Sequence, residues 1–147
     1  MSIQNNTIRN IAWSNSGNAA WYGIYIYSGL ANIGNETGNT IGSSTGTGSI
    51  TVTGGATGVN VYGIYFFPNL TFNCQNNIIG SIIAANSASS ASNFYGIYKN
   101  ANAGTTTISN NFIGSTTEAN SINASSTSHY FGQDVIGIQC RLVNKMS

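Results

Sequence analysis

The ionisable side chains are the first candidates for chemistry, and this chain has few of them. The acids are Glu36, Glu118 and Asp134, and the bases are Arg9, Lys99, Arg141 and Lys145. Enzymes that cleave polysaccharides need carboxylates that converge, because one protonates the leaving group while another attacks or activates water. No two of these acids recur at matching positions along the sequence. The sequence therefore predicts no catalytic residue, no cofactor, no metal ion and no enzymatic activity.

One stretch, residues 116–134, gathers polar and ionisable side chains, namely Glu118, His129, Tyr130 and Asp134. His129 with a neighbouring carboxylate could contact a sugar or a metal ion. One histidine and two acids are too few ligands for a convincing metal site, and loops collect polar residues in any case. We interpret the stretch as a solvated loop, and we retain His129 as a candidate ligand-contact residue.

The composition indicates which elements would position these groups. Charged residues make up only 5% of the 147 residues, hydrophobic residues make up 41%, and the net charge is +1. Gly, Ser, Thr and Asn combined with Ile, Val, Tyr and Phe favour strands and turns. The hydrophobic content argues against disorder, and the lack of a basic surplus argues against nucleic acid as a partner. No apolar run is long enough to span a bilayer, so we expect no membrane insertion.

Two short phrases recur in a constant order, with spacers of varying length between them. The first phrase contains a Gly-Ile pair whose glycines are Gly23, Gly63, Gly96 and Gly137. The second phrase carries the isoleucines Ile8, Ile41, Ile79 and Ile113. A fixed order with elastic gaps is typical of a solenoid, because insertions occupy loops while the coil is kept.

Alternation along the first phrase assigns side chains to the two faces of a strand. The inward set should stack one above another in successive coils, and it consists of Ile24, Ile64, Ile97 and Ile138, followed by Ile26, Phe66 and Cys140. Tyr25, Tyr65 and Tyr98 have the opposite parity and should form an outward row. Lys99 stands at an otherwise inward position, which we interpret as the strand ending early with its ammonium group in water.

Paired asparagines mark the predicted corners. Asn76-Asn77 and Asn110-Asn111 suit corners because Asn tolerates the left-handed backbone conformation. Their amides are expected to hydrogen-bond along the coil axis from one coil to the next. Pro68 falls between two strands, where no donor is needed for strand pairing.

The two cysteines show no metal-binding spacing. Cys74 aligns with Ile108 of the next repeat, which predicts a core position. We expect Cys74 and Cys140 to be two small buried thiols.

These features predict an all-β fold, a right-handed parallel β-helix of about four rungs with three short strands per rung. The Ser/Thr/Asn-rich spacers, residues 45–61 and 82–94, are expected to protrude as long loops on one flank. One part of them, "SITVT" (49–53), alternates and could add a hairpin or a fourth strand. In this interpretation residues 1–147 form a single β-helix segment, as an excerpt of a longer repeat array.

The cadence "GIY…NN.IG" resembles the repeats of the right-handed parallel β-helices of the pectin-lyase-like superfamily, over roughly residues 5–140. In particular it resembles the Asn/Ser/Thr-rich repeat regions of large secreted bacterial surface proteins. The resemblance implies the architecture and leaves the activity open, since enzymes, adhesins and passive spacers share it. Lyases of that superfamily use an acidic calcium-binding cluster with a basic residue nearby, and the acids of this sequence do not cluster in that way.

The leading hypothesis is a non-enzymatic structural and adhesion module of an extracellular or cell-surface bacterial protein. Its expected partners are cell-surface glycans or neighbouring repeats of the same chain. The alternative is a carbohydrate-binding or polysaccharide-processing β-helix in which Tyr25, Tyr65 and Tyr98, with Trp21 nearby, stack on sugar rings. Packing between rungs explains the same tyrosines. A second alternative is an ice-binding solenoid, which requires outward ranks of Thr where the sequence places Tyr.

Overall fold

The structure is a computed structural model that describes residues 1–55, 58–86, 89–100 and 104–141. Lys145 therefore lies outside the described residues. Over the described ranges the chain forms sixteen β-strands and no helix, and each pairing between strands is parallel. The prediction of an all-β, parallel β-helical fold is confirmed.

Four consecutive strands make one rung, and the described chain has four rungs. Rung 1 contains β1 (Ser2–Ile3), β2 (Thr7–Ile8), β3 (Ile11–Asn15) and β4 (Ala19–Ile26). Rung 2 contains β5 (Ala31–Ile33), β6 (Thr40–Gly42), β7 (Ile50–Gly54) and β8 (Val59–Phe66). Rung 3 contains β9 (Phe72–Gln75), β10 (Ile78–Gly80), β11 (Ile82–Asn86) and β12 (Ser92–Lys99). Rung 4 contains β13 (Thr106–Ser109), β14 (Phe112–Ile113), β15 (Ile122–Ser126) and β16 (Val135–Cys140).

Equivalent strands of successive rungs pair into four sheets, which we name A to D in chain order. Sheet A has the order β1-β5-β9-β13, sheet B β2-β6-β10-β14, sheet C β3-β7-β11-β15 and sheet D β4-β8-β12-β16. Each rung therefore has four strands, and the prediction of three strands per rung is wrong. The additional strand belongs to sheet C.

Sheet C lies in the segments that were predicted to protrude as loops. β7 lies within residues 45–61 and β11 within residues 82–94, so the prediction that these spacers protrude as loops is wrong for the parts that form sheet C. Ile50, Val52, Ile82 and Ala84 of these strands are fully buried, and this burial explains why polar-looking spacers form strands. Of the two alternatives for residues 49–53, a hairpin or a fourth strand, the structure shows the fourth strand, β7.

The predicted stack of isoleucines is confirmed in sheet D. Ile24 pairs with Ile64, Ile64 with Ile97, and Ile97 with Ile138. Ile64 and Ile97 are 0% exposed, whereas Ile138 is 50% exposed. Among the described residues β16 pairs only with β12, and no further strand pairs with it.

Two inward positions differ from expectation. Cys74 is fully buried and pairs with Ile108, as predicted, but Cys140 is exposed because it belongs to the last rung. Both thiols are free. Lys99 is the last residue of β12 and is only 5% exposed, so the prediction that the strand ends before it, with the ammonium group in water, is wrong. Strand pairing with Phe66 and Cys140 holds β12 extended through this residue.

The corner between sheets A and B is built on asparagine, as predicted. Asn76 and Asn110 adopt left-handed backbone angles, with φ of 58° and 55°. The residues after them carry a chain of amide hydrogen bonds along the axis, which we call the Asn ladder. Asn6 Nδ2 donates to Asn39 Oδ1 at 2.9 Å, Asn39 Nδ2 to Asn77 Oδ1 at 2.9 Å, and Asn77 Nδ2 to Asn111 Oδ1 at 2.8 Å.

Pro68 lies between β8 and β9, outside both strands, which confirms its predicted position. Because Pro68 lies outside both strands, it does not interrupt their pairing. Phe66 and Phe72, which flank this segment, stack in the core with ring centroids 4.4 Å apart. The connection between sheets D and A is thus fixed by the packing of the two strands that it joins.

Candidate functional site: the tyrosine face of sheet D

The outer surface of sheet D carries two columns of tyrosines, which together we name the tyrosine face. The first column contains Tyr22, Tyr62 and Tyr95, and the second contains Tyr25, Tyr65 and Tyr98. Both columns run across β4, β8 and β12, and they end in rung 4 at Ile136 and Gln139. The predicted row of Tyr25, Tyr65 and Tyr98 is therefore present, and a second row lies beside it.

A glycine allows both tyrosines of each YGIY phrase to point outward. Strict alternation would place Tyr62 on the same side as Ile64, which is inward. The strand pairing omits Gly63 and resumes at Ile64, so the alternation shifts at the glycine. A Cβ on Gly63 would lie 2.6 Å from the carbonyl oxygen of Gly96 and 2.8 Å from Ile79 Cγ2. Only glycine fits this close approach of backbone to backbone.

The rings of the first column lie nearly parallel at the spacing of the rungs, and in the second column Tyr65 and Tyr98 do so at 14° whereas Tyr25 is tilted by 42° from Tyr65. Tyr22 and Tyr62 have ring centroids 5.0 Å apart with an interplanar angle of 7°, and Tyr62 and Tyr95 are 5.0 Å apart at 13°. Between columns the contacts are edge to face, as for Tyr62 and Tyr65 at 5.1 Å and 85°. Stacked and T-shaped pairs at these distances stabilise one another. The packing of rungs against each other therefore occupies most ring faces in the interior of the tyrosine face.

The tyrosines of rung 1 are the most exposed of the tyrosine face. Tyr22 and Tyr25, in rung 1, are 38% and 46% exposed. Tyr27 and Phe67 extend the aromatic surface at one side, with stacked rings 5.7 Å apart. Tyr65 Oη accepts a hydrogen bond of 2.8 Å from Asn100 Nδ2. The surface is thus a broad aromatic sheet that carries phenol groups.

Burial raises the pKa of four of these phenols. Desolvation raises the pKa of Tyr62 well above its ordinary value, and the neighbouring phenols of Tyr22 and Tyr95 raise it further. The pKa values of Tyr22, Tyr65 and Tyr95 are raised for the same first reason. The raised pKa values of these four tyrosines favour the protonated phenol, whose O–H group both donates and accepts hydrogen bonds.

Alkaline conditions should destabilise the protein. Burial raises the pKa of the Cys74 thiol from 9.0 to about 12, and the pKa values of Tyr22, Tyr62, Tyr65 and Tyr95 shift in the same direction. Above the pKa of the unfolded state the unfolded chain releases protons that the folded chain retains, so unfolding becomes more favourable as the pH rises. We expect urea unfolding to show a free energy of unfolding that falls from about pH 9 upward, with Cys74 contributing about 1.4 kcal/mol per pH unit.

A pair of cysteine variants separates the sources of this pH dependence. Cys74→Ala should remove the contribution of the buried thiol and leave a shallower decline from the tyrosines. Cys140→Ala, at an exposed thiol, should retain the wild-type slope. If the free energy of unfolding of the wild type stays constant throughout the alkaline range, this result contradicts the burial of both the Cys74 thiol and the tyrosine phenols.

The other candidate residue, His129, lies away from the tyrosine face. It is exposed in the corner between β15 and β16, next to Tyr130, which is 90% exposed. Backbone hydrogen bonds to Ser128 Oγ from Tyr130 and Phe131 shape this corner. Glu118 lies in the preceding corner, between β14 and β15, so the structure separates residues that the sequence placed in one patch.

The three acids lie at three different corners of the coil. Glu36 lies between β5 and β6, Glu118 between β14 and β15, and Asp134 directly before β16. Across residues 1–55, 58–86, 89–100 and 104–141, no group of three or more His, Cys, Asp or Glu side chains could hold a metal ion. The described residues thus bring no carboxylates together.

Sequence reasoning missed half of the tyrosine face and placed one aromatic residue wrongly. Tyr22, Tyr62 and Tyr95 were not assigned outward because the alternation was not expected to shift at a glycine. The recurring Tyr before each Gly was the signal for them. Trp21 pairs with Val61 and packs against the core, so it does not join an outward platform.

Comparisons with known proteins add no relative. No protein-family model, no curated protein and no solved structure matches the chain. Among the residues that the structure describes, no helix has the length and apolarity to cross a bilayer. A function for this chain is therefore inferred from the tyrosine face and the β-helix that carries it.

Proposed function

We propose that the chain is a non-enzymatic structural and adhesion module of an extracellular or cell-surface protein, and that the tyrosine face is its contact surface. The observation that carries the proposal is the pair of tyrosine columns on β4, β8 and β12, with Tyr22 and Tyr25 38% and 46% exposed. A contiguous exposed aromatic surface of this kind is typical of an interaction site. Charged residues make up only 5% of the chain, which suits contact with neutral surfaces such as glycans.

The mode of contact follows from how the rings pack. Interior rings such as Tyr62 have aromatic neighbours above, below and to the side, which leaves little free ring face for a sugar to stack on. Each ring carries a phenol hydroxyl, so hydroxyl groups recur with the rungs along both columns. We therefore assign adhesion to hydrogen bonding by the hydroxyl array, with cell-surface glycans as the partner class.

Carbohydrate binding by ring stacking is the second candidate, and the open rings of rung 1 favour it. Tyr22 and Tyr25 have no described rung beneath them, so one face of each ring lacks a stacked neighbour from another rung. Ring stacking predicts that glycan binding depends on the aromatic rings, whereas the first candidate predicts that glycan binding depends on the hydroxyl groups.

Polysaccharide processing, as the resemblance to pectin-lyase-like repeats would allow, finds no comparable support, because Glu36, Glu118 and Asp134 lie at separate corners. Ice binding has little more structural support than polysaccharide processing. The outer face of sheet C carries Thr51 and Thr53, but the equivalent positions in the next rung are Ile83 and Ala85. A shallow depression of about 150 Å³ lies beside these threonines, and it is open and small.

Binding to immobilised glycans should distinguish these candidates. A triple variant with Tyr25→Phe, Tyr62→Phe and Tyr98→Phe keeps the rings, removes three hydroxyls and leaves the bond between Tyr65 and Asn100 intact. If the hydroxyls carry the adhesion, this variant should bind at least about tenfold more weakly, since each lost hydrogen bond is worth roughly 1 kcal/mol. If ring stacking carries it, the variant should bind as the wild type does.

The matched control is the double variant Thr51→Ala and Thr53→Ala, which removes two hydroxyls from the outer face of sheet C. Its glycan binding should equal that of the wild type. A wild-type chain that adheres to no glycan and to no glycan-bearing cell surface would rule out the adhesive part of the proposal.

A further inference from the structure

The tyrosine face forms one continuous network of ring contacts that crosses the rungs. In the first column the ring centroid of Tyr62 lies 5.0 Å from that of Tyr22 and 5.0 Å from that of Tyr95. In the second column the ring centroid of Tyr65 lies 5.2 Å from each of its two column neighbours. Each tyrosine of rung 2 therefore contacts a tyrosine of rung 1 and a tyrosine of rung 3.

The rings of the two inner rungs are accessible from the outside. Tyr62 and Tyr65 of rung 2 and Tyr95 and Tyr98 of rung 3 are partly exposed. Rungs 2 and 3 each have a described rung on both sides, so this exposure belongs to the outer face of sheet D and does not come from an end of the coil. A small oxidant in solution can therefore reach phenols that already have a phenol neighbour.

Neighbouring phenols can be joined by oxidation. Loss of one electron and the phenol proton gives a phenoxyl radical, whose unpaired electron is shared with the ring carbons ortho to the oxygen. Two such radicals form a carbon–carbon bond between ortho carbons, and the two ring hydrogens move to the oxygens, which restores both phenols. The rings must turn about their side-chain torsions to form this bond, and the second torsion of tyrosine is soft. The pair loses two hydrogen atoms in all.

We propose that the tyrosine face is a site of oxidative cross-linking, at which hydrogen peroxide consumed by a haem peroxidase joins tyrosines of successive rungs as dityrosine. The peroxide takes up the two hydrogen atoms and becomes two molecules of water. A bond between Tyr22 and Tyr62 closes a loop of about 40 residues, which restricts the unfolded chain and so stabilises the folded one. This modification does not depend on adhesion, and it leaves the phenol groups of the face in place.

Tyr130 provides an internal competitor for the tyrosine face. It is 90% exposed, more than any other tyrosine of the chain, and it lies in the corner between β15 and β16. If exposure alone decided the coupling, Tyr130 would react first and would link separate molecules. If contact between rungs decides it, the links should lie within one molecule and should join tyrosines of the face.

The sequence allows the cross-links to be assigned rung by rung. Cleavage of the denatured chain after glutamate and before cysteine separates the tyrosines of the three rungs into the fragments 1–36, 37–73 and 74–118, and it places Tyr130 in the fragment 119–139. Dityrosine between neighbouring rungs therefore joins two consecutive fragments. Mass spectrometry identifies the joined pair by a combined mass that is lower by two hydrogen atoms.

The experiment treats the full folded chain, at low concentration, with a haem peroxidase and hydrogen peroxide. We expect dityrosine fluorescence, a mass that remains that of one chain, and fragment 37–73 joined to 1–36 and to 74–118. The same oxidation in urea should scatter the links over all four fragments, including the one with Tyr130. A folded chain that forms no dityrosine, that links through Tyr130 alone, or that links tyrosines only within single fragments overturns the proposal.

Two variants test whether the coupling follows the stack of rungs. Tyr62→Phe combined with Tyr65→Phe keeps both rings of rung 2 but removes their phenols, so fragments 1–36 and 74–118 should not be joined across it. The matched control Tyr130→Phe should cross-link as the wild type does. Circular dichroism before oxidation checks the fold of each variant. Direct joining of 1–36 to 74–118 at the wild-type yield would show that contact between rungs does not direct the coupling, and the proposal would be rejected.

The stability of the oxidised chain is a second measurement. Cross-linked wild type should unfold at a higher urea concentration than untreated wild type, because its unfolded state is restricted. The oxidised variant without the two rung 2 phenols should unfold at the same urea concentration as its untreated form. An unchanged midpoint for wild type that carries the joined fragments would contradict the stabilising role of the cross-links.

Discussion

Replacing Asn77 with alanine should lower the free energy of unfolding by about 4 kcal/mol, since each buried polar group left without a partner costs roughly 1–3 kcal/mol. The Asn77 side chain is 0% exposed. Its Oδ1 accepts from both the N–H and the Nδ2 of Asn39, and its Nδ2 donates to the carbonyl oxygens of Ile33 and Gln75. The substitution removes this partner from the buried N–H of Asn39 and from the carbonyl oxygens of Ile33 and Gln75, while Asn39 Nδ2 keeps its bond to the carbonyl oxygen of Ile3. Urea unfolding followed by circular dichroism measures the loss.

The same substitution on the outside of the same rung is the control. Asn73 is partly buried, and its Nδ2 donates to Asn32 Oδ1 at 2.8 Å on the outer face of sheet A. Water can replace that bond, so Asn73→Ala should cost less than about 1 kcal/mol. Equal losses for the two variants would contradict a special role for the buried Asn ladder.

Gly63→Ala should destabilise the protein by about 3 kcal/mol or more, because overpacking a closely packed interior costs 1–3 kcal/mol and here the nearest atom belongs to backbone. The added Cβ would lie 2.6 Å from Gly96 O and 2.8 Å from Ile79 Cγ2. Relief requires the rungs to separate locally, which would also part the rings of Tyr62 and Tyr95, now 5.0 Å apart. Urea unfolding measures the stability, and near-ultraviolet circular dichroism should report the changed tyrosine packing.

Gly137→Ala is the matched control, since it makes the same change in the same Gly-Ile phrase at a position without a described rung above it. The Gly137→Ala chain should lose little or no stability, because among the described residues the added Cβ would meet only Ile113 Cδ1, at 4.0 Å. A Gly63→Ala chain as stable as Gly137→Ala would show that the close approach between successive glycines does not limit the residue at this position.

The repeats made the stacking of rungs predictable. The Gly-Ile phrases align Ile24, Ile64, Ile97 and Ile138, and strand pairing joins these residues in that order. The paired asparagines predicted both the corners and the amide hydrogen bonds along the axis. These features were readable because each depends on residue type and on the order of short phrases.

The number of strands per rung was harder to predict because one corner is hidden in the sequence. Ser81 alone separates β10 from β11, with φ of 57°, so "IIGSIIAAN" (78–86) reads as one strand and its spacer. Sheet C begins immediately after this residue. A single residue in the left-handed conformation leaves no cluster of turn residues to mark the corner.

One of the two tyrosine columns could be predicted from the sequence, and the other could not. Tyr25, Tyr65 and Tyr98 follow directly from alternation, whereas the column of Tyr62 depends on a shift at Gly63 that only the approach of the next rung requires. The exposure of Ile138 and Cys140 likewise depends on what lies above rung 4. Such facts belong to contacts between distant segments, which local patterns do not contain.

The corner between sheets B and C has a practical consequence. It is closed by residues 9–10 in rung 1, by 43–49 in rung 2, by Ser81 alone in rung 3 and by 114–121 in rung 4, while the strands on either side keep their pairing. Lengthening a flexible loop adds little closure entropy. This edge of the rod is therefore suited to carrying grafted peptides, such as epitopes for display at a regular vertical spacing.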